Sequence, residues 1–256
     1  MLRNYLNKFK REKRTYRWKF AFLLPLWVVV GFGVSQLLIT GILLGLNYAG
    51  VPLTSINPAV INTVLAASVY VLTLVLVLGV PFWTQKRRTS KDDLGIARSL
   101  SWTDIGLAPA GFIVYFIVSA ILVYVVTLII PGFDVGQVQD VGFENLSQQY
   151  EVLLAFVTLV IVAPLAEELL FRGYLYGKLR KSVPIGVAMI ITSIIFGLVH
   201  GQWNVAVDVF ALSMVMCTLR EITGSIWAGV LLHSIKNGLA FYLLFINPTF
   251  LNTIGG

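Results

Sequence analysis

The sequence predicts an all-α, multipass membrane protein of about seven helices. Of its 256 residues 57% are hydrophobic, and the mean hydropathy is +0.85. Only 12% are charged, against about 25% in a typical soluble domain. Residues 20–85 hold no Asp, Glu, Lys, Arg or His, and neither do residues 105–133. About 20 apolar residues cross the hydrocarbon core, so runs of this length read as spanning helices.

Seven apolar segments follow in order, at 20–46, 57–83, 105–130, 150–176, 184–200, 204–220 and 225–246. Turn-forming residues separate them: Asn47 to Pro58, Pro131-Gly132, Ser182-Val183-Pro184 and Thr223-Gly224. The first run is longer than the roughly 7–15 residues of a signal-peptide core, so it is expected to stay as a helix. The segments group into a basic tail at 1–19, amino-terminal membrane helices with a basic loop at 20–130, and a core at 150–246. Cys217, the single cysteine, excludes an intramolecular disulfide.

The net charge of +7 is local. Arg3, Lys8, Lys10, Arg11, Lys13, Arg14, Arg17 and Lys19 against Glu12 account for all of it. A charge confined to the segment before the first helix argues for anionic lipid as its partner and against nucleic acid. Leu2, Leu6 and Phe9 share a helical face, so residues 2–14 are expected to lie on the membrane surface. Loop 84–104 and the turn after the fourth segment (Lys178, Arg180, Lys181) are also basic, whereas connectors 47–57 and 131–149 contain no Lys or Arg. The positive-inside rule then puts the amino terminus and both basic loops in the cytoplasm; the expected compartment is the plasma membrane.

The fourth segment ends on Glu167-Glu168-Leu169-Leu170-Phe171-Arg172. An acidic or basic group at the centre of a membrane helix costs roughly 2.5–3.5 kcal/mol even on lenient scales, so three in six residues ask for a function. Glu168 and Arg172 stand at i, i+4 and can pair along one face. Glu167 is 100° away around the helix and faces elsewhere, free to act as a base. Glu167 lies 15 residues before Ser182 and His200 lies 18 after it, which puts both about 22–27 Å from that turn at 1.5 Å per residue. His233 and Asn237 share a face 10 and 14 residues beyond Thr223, about 15–21 Å deep. Phe196 and His200 share another. Three segments thus carry their polar side chains to comparable depth.

Glu167-Glu168-x-x-x-Arg172, Phe196-x-x-x-His200 and His233-x-x-x-Asn237 resemble the three motifs of the CAAX protease and bacteriocin-processing (Abi, CPBP) intramembrane endopeptidases. The motifs occur in order over about residues 150–240, and the stretch from Asp93-Leu94-Gly95 to Trp102-Thr103-Asp104-Ile105-Gly106-Leu107 resembles what precedes that core in many members. The resemblance implies a glutamate-dependent endopeptidase acting on a membrane-associated peptide, either a prenylated CAAX-type tail or a peptide precursor. Glu167, assisted by His200, would activate water, and His233 with Asn237 would hydrogen-bond the oxyanion. Glu168, Arg172 and Phe196 would have structural and charge-tuning roles. No cofactor is required on this reading.

Blander readings stand beside it. Glu168–Arg172 can be a helix staple, His200 a structural histidine and His233–Asn237 interhelical hydrogen-bonding. Glu167, His200 and His233 can also form a zinc set, giving a membrane metalloendopeptidase. A non-catalytic immunity or scaffold protein, or a proton-coupled transporter, is the alternative from another class. Asp208 is open between pairing with a histidine and lining a polar cavity. Lys236 and Arg220–Glu221 are expected as interfacial or snorkelling charges. Water must reach Glu167, and Arg172 followed by a polar turn suggests that it does so from the cytoplasmic side.

Overall fold

The computed structural model describes residues 16–86, 88–137, 141–143 and 146–248. Most of the basic tail, with the face of Leu2, Leu6 and Phe9, lies outside the described residues, as do Arg87 and Gly256. The described chain forms helices α1 (Phe20–Tyr48), α2 (Pro58–Thr84), the short α3 (Lys91–Leu94), α4 (Trp102–Ile129), α5 (Gln149–Ser182), α6 (Ile185–Leu198), α7 (Trp203–Thr223) and α8 (Trp227–Ile246). No strand occurs among the described residues.

The seven apolar segments coincide with the seven long helices. Five of these, α1, α2, α4, α5 and α8, are long and apolar enough to cross a membrane. The other two differ for physical reasons. Helix α6 has 14 residues, about 21 Å of rise, which falls short of a 30 Å hydrocarbon core. Helix α7 is long enough but carries Asp208, Arg220 and Glu221. The protein is an integral, multipass helical bundle.

Local sequence sets the helix ends. Asn57 caps α2, its side chain accepting from the Ala59 and Val60 amides, with Pro58 at the first helical position. Ser90 with Asp93, and Ser101 with Asp104, form capping boxes at the starts of α3 and α4. Gly224, at φ +69°, ends α7 in the left-handed conformation.

Helix α7 packs between α4 and α6, and α8 packs against α4, α5 and α7. Lipid tails are as apolar as leucine, so such helices associate through close packing rather than water exclusion. At the α6–α7 contact a Cβ on Gly197 would come within 2.8 Å of the Ala206 carbonyl oxygen. Below the middle of α5, Leu170, Phe171, Tyr174, Leu175 and Leu179 form a solid core with Phe196, Leu212, Met216 and Leu232.

The basic loop is folded against that end of the bundle. Helix α3 lies on Gly173 and Gly177, where a Cβ would collide with the Leu94 and Asp93 carbonyls. Lys181 pairs with Asp93. Partial burial pushes the Asp93 carboxyl up, but Lys181 and the Ser90 amide outweigh it and bring it down to about 2. Ser225 Oγ donates to the Gly95 carbonyl and Trp227 Nε1 to that of Arg98, at 2.9 and 2.8 Å.

One expectation about charges is corrected here. Arg220 is not a snorkelling residue: it is 4% exposed and donates to the Asp92 carbonyl at 2.9 Å. Glu221 accepts from Tyr176 Oη at 2.6 Å and pairs with Arg180 at 2.9 Å. The returning loop supplies backbone acceptors that the linear sequence places more than a hundred residues away.

Candidate active site

Helix α5 is not regular around the glutamates. Two π-helical stretches, Val157–Val162 and Leu169–Leu175, bracket the α-helical turns at Ala163–Glu168. Such widened turns leave the ordinary hydrogen-bond register and often occur at functional sites. In the wider register the Leu159 carbonyl would accept from residue 164, which is Pro164 and has no N–H. The Asn237 amide donates to that carbonyl instead, at 2.9 Å. Asn237 thereby ties α8 to α5 and keeps its second amide hydrogen.

The adjacent glutamates separate as the 100° offset requires. Glu168 is fully buried and pairs with the equally buried Arg172 at 2.8 Å. The Arg172 guanidinium stacks over the Phe196 ring at 4.2 Å. Gly229 of α8 comes so close that a Cβ there would meet Glu168 Oε2 at 2.8 Å. Glu167 keeps 16% of its side chain exposed and lines a cavity of about 500 Å³.

His200, His233 and Asn237 line the same cavity. His200 Nδ1 lies 2.7 Å from the Phe196 carbonyl oxygen. A carbonyl can only accept, so Nδ1 carries a hydrogen, and in the neutral tautomer with that hydrogen Nε2 is the free nitrogen. His233 sits between the two carboxylates, with Nδ1 3.4 Å from Glu168 Oε1 and Nε2 3.9 Å from Glu167 Oε2. Phe196 is the wedge that orients both rings: it meets His200 and His233 edge-on, with centroids 5.0 and 5.8 Å apart. All seven residues singled out by the three motifs therefore surround one cavity or its buried wall.

Tyr70 was not foreseen. Its hydroxyl, on α2, donates to Glu167 Oε1 at 2.6 Å and lines the cavity. One tyrosine in a uniformly apolar segment gives no signal by itself. The contact fixes Oε1 and leaves Oε2 toward His233. If Glu167 acts as the expected base, Tyr70→Phe should lower kcat about tenfold, the equivalent of about 1.4 kcal/mol, with KM nearly unchanged, since Tyr70 would then position the base rather than the substrate. A rise in KM at constant kcat would make Tyr70 a substrate contact.

Asp208 meets no histidine. Its Oδ1 accepts from Tyr115 Oη at 2.7 Å and Ser119 Oγ at 2.6 Å, and Oδ2 faces Lys236 Nζ at 3.7 Å. Lys236 is thus paired and lines the cavity, which corrects its expected place among interfacial charges. The cavity extends toward the other end of the bundle. From Glu167 it runs along Ala163 and Leu159 of α5, and along Ala240, Phe241, Leu244 and Phe245 of α8, to Gln137 and Val141. That is away from Arg172 and the polar turn.

Residues 149–239 match the family model described as type II CAAX prenyl endopeptidase Rce1-like. The match covers the helices that carry all three motifs. Over those helices the chain is similar to the CAAX protease (CPBP) family. Among its curated relatives is YdiL of Bacillus subtilis (strain 168), provisionally named a membrane peptidase, 26% identical over 227 residues, covering 86% of this chain and 87% of that protein. The membrane-embedded CAAX protease MroQ of Staphylococcus aureus (strain USA300) is 23% identical over 133 residues, 48% of this chain and 53% of that protein. The UPF0177 protein YxdF of Lactococcus lactis subsp. lactis (strain IL1403) is 34% identical over 79 residues, 30% of this chain and 43% of that protein. No solved structure gives a significant match. Tyr70 lies outside the part of the chain that the CAAX-protease family model matches.

Proposed function

We propose that the protein is an intramembrane glutamic endopeptidase that hydrolyses a peptide bond in a membrane-associated substrate. One observation carries the reading: of two adjacent carboxylates, one is locked in a buried ion pair and the other is presented to a cavity shared with two histidines and an amide. Glu167, with His200 Nε2 assisting, takes a proton from water as it attacks the scissile carbonyl. His233 and the second amide hydrogen of Asn237 donate to the oxyanion. Glu168, Arg172 and Phe196 hold the geometry. The family and the relatives named as peptidases support the reaction class. A CAAX-type prenylated tail and a peptide precursor are both substrates of the right kind. In the same reading the amino terminus is cytoplasmic, in the plasma membrane, with the basic tail on anionic lipid.

Among the described residues no group of three or more His, Cys, Asp or Glu side chains is gathered closely enough to hold a metal ion. Chelation tests the zinc alternative directly. Cleavage by the purified protein should survive prolonged treatment with a phenanthroline. Loss of cleavage that stoichiometric zinc restores would make the protein a metallopeptidase. Comparing membrane proteomes of cells with wild-type and Glu167→Ala protein would identify the substrate.

A further inference from the structure

We infer that the cavity receives its substrate from the face opposite the basic loops, which, of the two substrate kinds named above, selects an exported, membrane-adjacent peptide precursor over a prenylated tail on the cytoplasmic leaflet. The inference builds on the peptidase reading for its substrate, and on geometry and charge for its direction.

The two ends of the bundle differ. At the basic end, every residue of α5 from Leu170 to Gly177 is buried. Arg172, Leu175, Tyr176 and Leu179 are wholly inaccessible. Helix α3 lies over them, held by Gly173, Gly177, Arg220 and Lys181. The backbone amide of Arg17 also closes on the Ser182 carbonyl, at 2.8 Å. No part of the cavity wall comes from beyond Phe171 toward Ser182.

At the other end the wall includes exposed residues, although Phe241 within it is buried. His233 is 3% exposed, Ala240 is half-buried, Leu244 is 38% exposed and Gln137 is exposed. Gln137 and Val141 belong to the connector between α4 and α5. That connector is pinned beside the mouth: Asn204 Nδ2 donates to the Gln137 carbonyl at 2.7 Å, and Asn62 donates to that of Gly142. Residues 131–149 contain no Lys or Arg, whereas Lys86, Arg88, Lys91, Arg98, Lys178, Arg180 and Lys181 all lie at the sealed end. Basic residues in short loops mark the cytoplasmic side. The mouth therefore faces away from the cytoplasm. Glu167 is 18 residues from the start of α5, about 27 Å by helix rise, so a substrate must thread an extended segment to reach it.

Thiol accessibility tests this without needing cleavage. Cys217, the one native cysteine, is buried and is first replaced in Cys217→Ala. Single cysteines are then introduced as Ala240→Cys in the cavity, Leu244→Cys at its mouth and Lys91→Cys at the sealed end. Leu244→Cys serves if Ala240→Cys fails to accumulate. A membrane-impermeant sulfonated maleimide should modify the two cavity positions in right-side-out spheroplasts and not in sealed inside-out vesicles, with Lys91→Cys showing the reverse. Modification of Ala240→Cys or Leu244→Cys only in inside-out vesicles, or in neither preparation, would overturn the inference, as would reaction of Lys91→Cys in spheroplasts. If the expected pattern holds but no peptide is ever cleaved, the peptidase reading fails alone. If cleavage is found with the pattern reversed, the direction of access fails alone.

Discussion

Glu167→Gln should abolish proteolysis while leaving membrane insertion and abundance at wild-type levels. The glutamine side chain has the same length and can still accept from Tyr70, now through its amide oxygen, so the packing of α2 on α5 survives. What disappears is the oxygen that, in the proposed mechanism, takes the proton from water. General bases contribute about 10²–10⁴ to rate, so about 1% or less of the activity should remain. Among the described residues Glu167 makes no ion pair with a fixed cation, so its neutralisation strands no charge there. Full activity in Glu167→Gln would end the assignment of Glu167 as base.

Asn237→Ala should reduce kcat by about 10²–10³, or roughly 2.7–4 kcal/mol, the usual loss for one oxyanion donor. KM should change little, because the amide bonds more strongly to the developing oxyanion than to the ground-state carbonyl. The structure adds a complication with its own signature. The amide also satisfies the Leu159 carbonyl, and losing that bond leaves a backbone acceptor in a poorly solvated place at a cost of about 1–3 kcal/mol. Asn237→Ala should therefore lower thermal stability as well. Asn237→Asp should be at least as damaging when ionised, since it places negative charge against both the carbonyl and the transition state. Single-turnover cleavage in detergent, with binding measured on a Glu167→Gln background, separates the effects. If Asn237→Ala loses stability but cleaves at the wild-type rate, Asn237 is helix glue alone.

Much of the site could be read along the chain because it is built from short-range spacing. Glu168 and Arg172 pair at i, i+4, His233 and Asn237 share one face of α8, and counting from Ser182 brought Glu167 and His200 to the same depth. Arguments from spacing fail where the partner is distant. Tyr70 reaches Glu167 from 97 residues away, and Arg220 finds carbonyls 128 and 127 residues away. The expectation about access rested on linear order as well. Arg172 looked like the start of a polar exit, but Glu168 and the Phe196 face neutralise and cover it, so its charge marks the sealed wall. The π-helical turns of α5 have no signature in apolar periodicity beyond Pro164. The seven segments were located correctly as helices, but composition alone could not show that α6 is too short for a simple crossing.

The division of labour between the two glutamates is the centre of this mechanism, and a side-by-side measurement of folded yield and kcat for Glu167→Gln and Glu168→Gln tests it most directly. Breaking a buried ion pair by removing one partner typically costs about 3–5 kcal/mol, and Arg172 would be left buried without its carboxylate. The expected result is normal yield with no cleavage for Glu167→Gln, and reduced yield with reduced cleavage for Glu168→Gln. A Glu168→Gln protein as abundant as wild type and wholly inactive, beside an active Glu167→Gln protein, would mean that the two roles are exchanged.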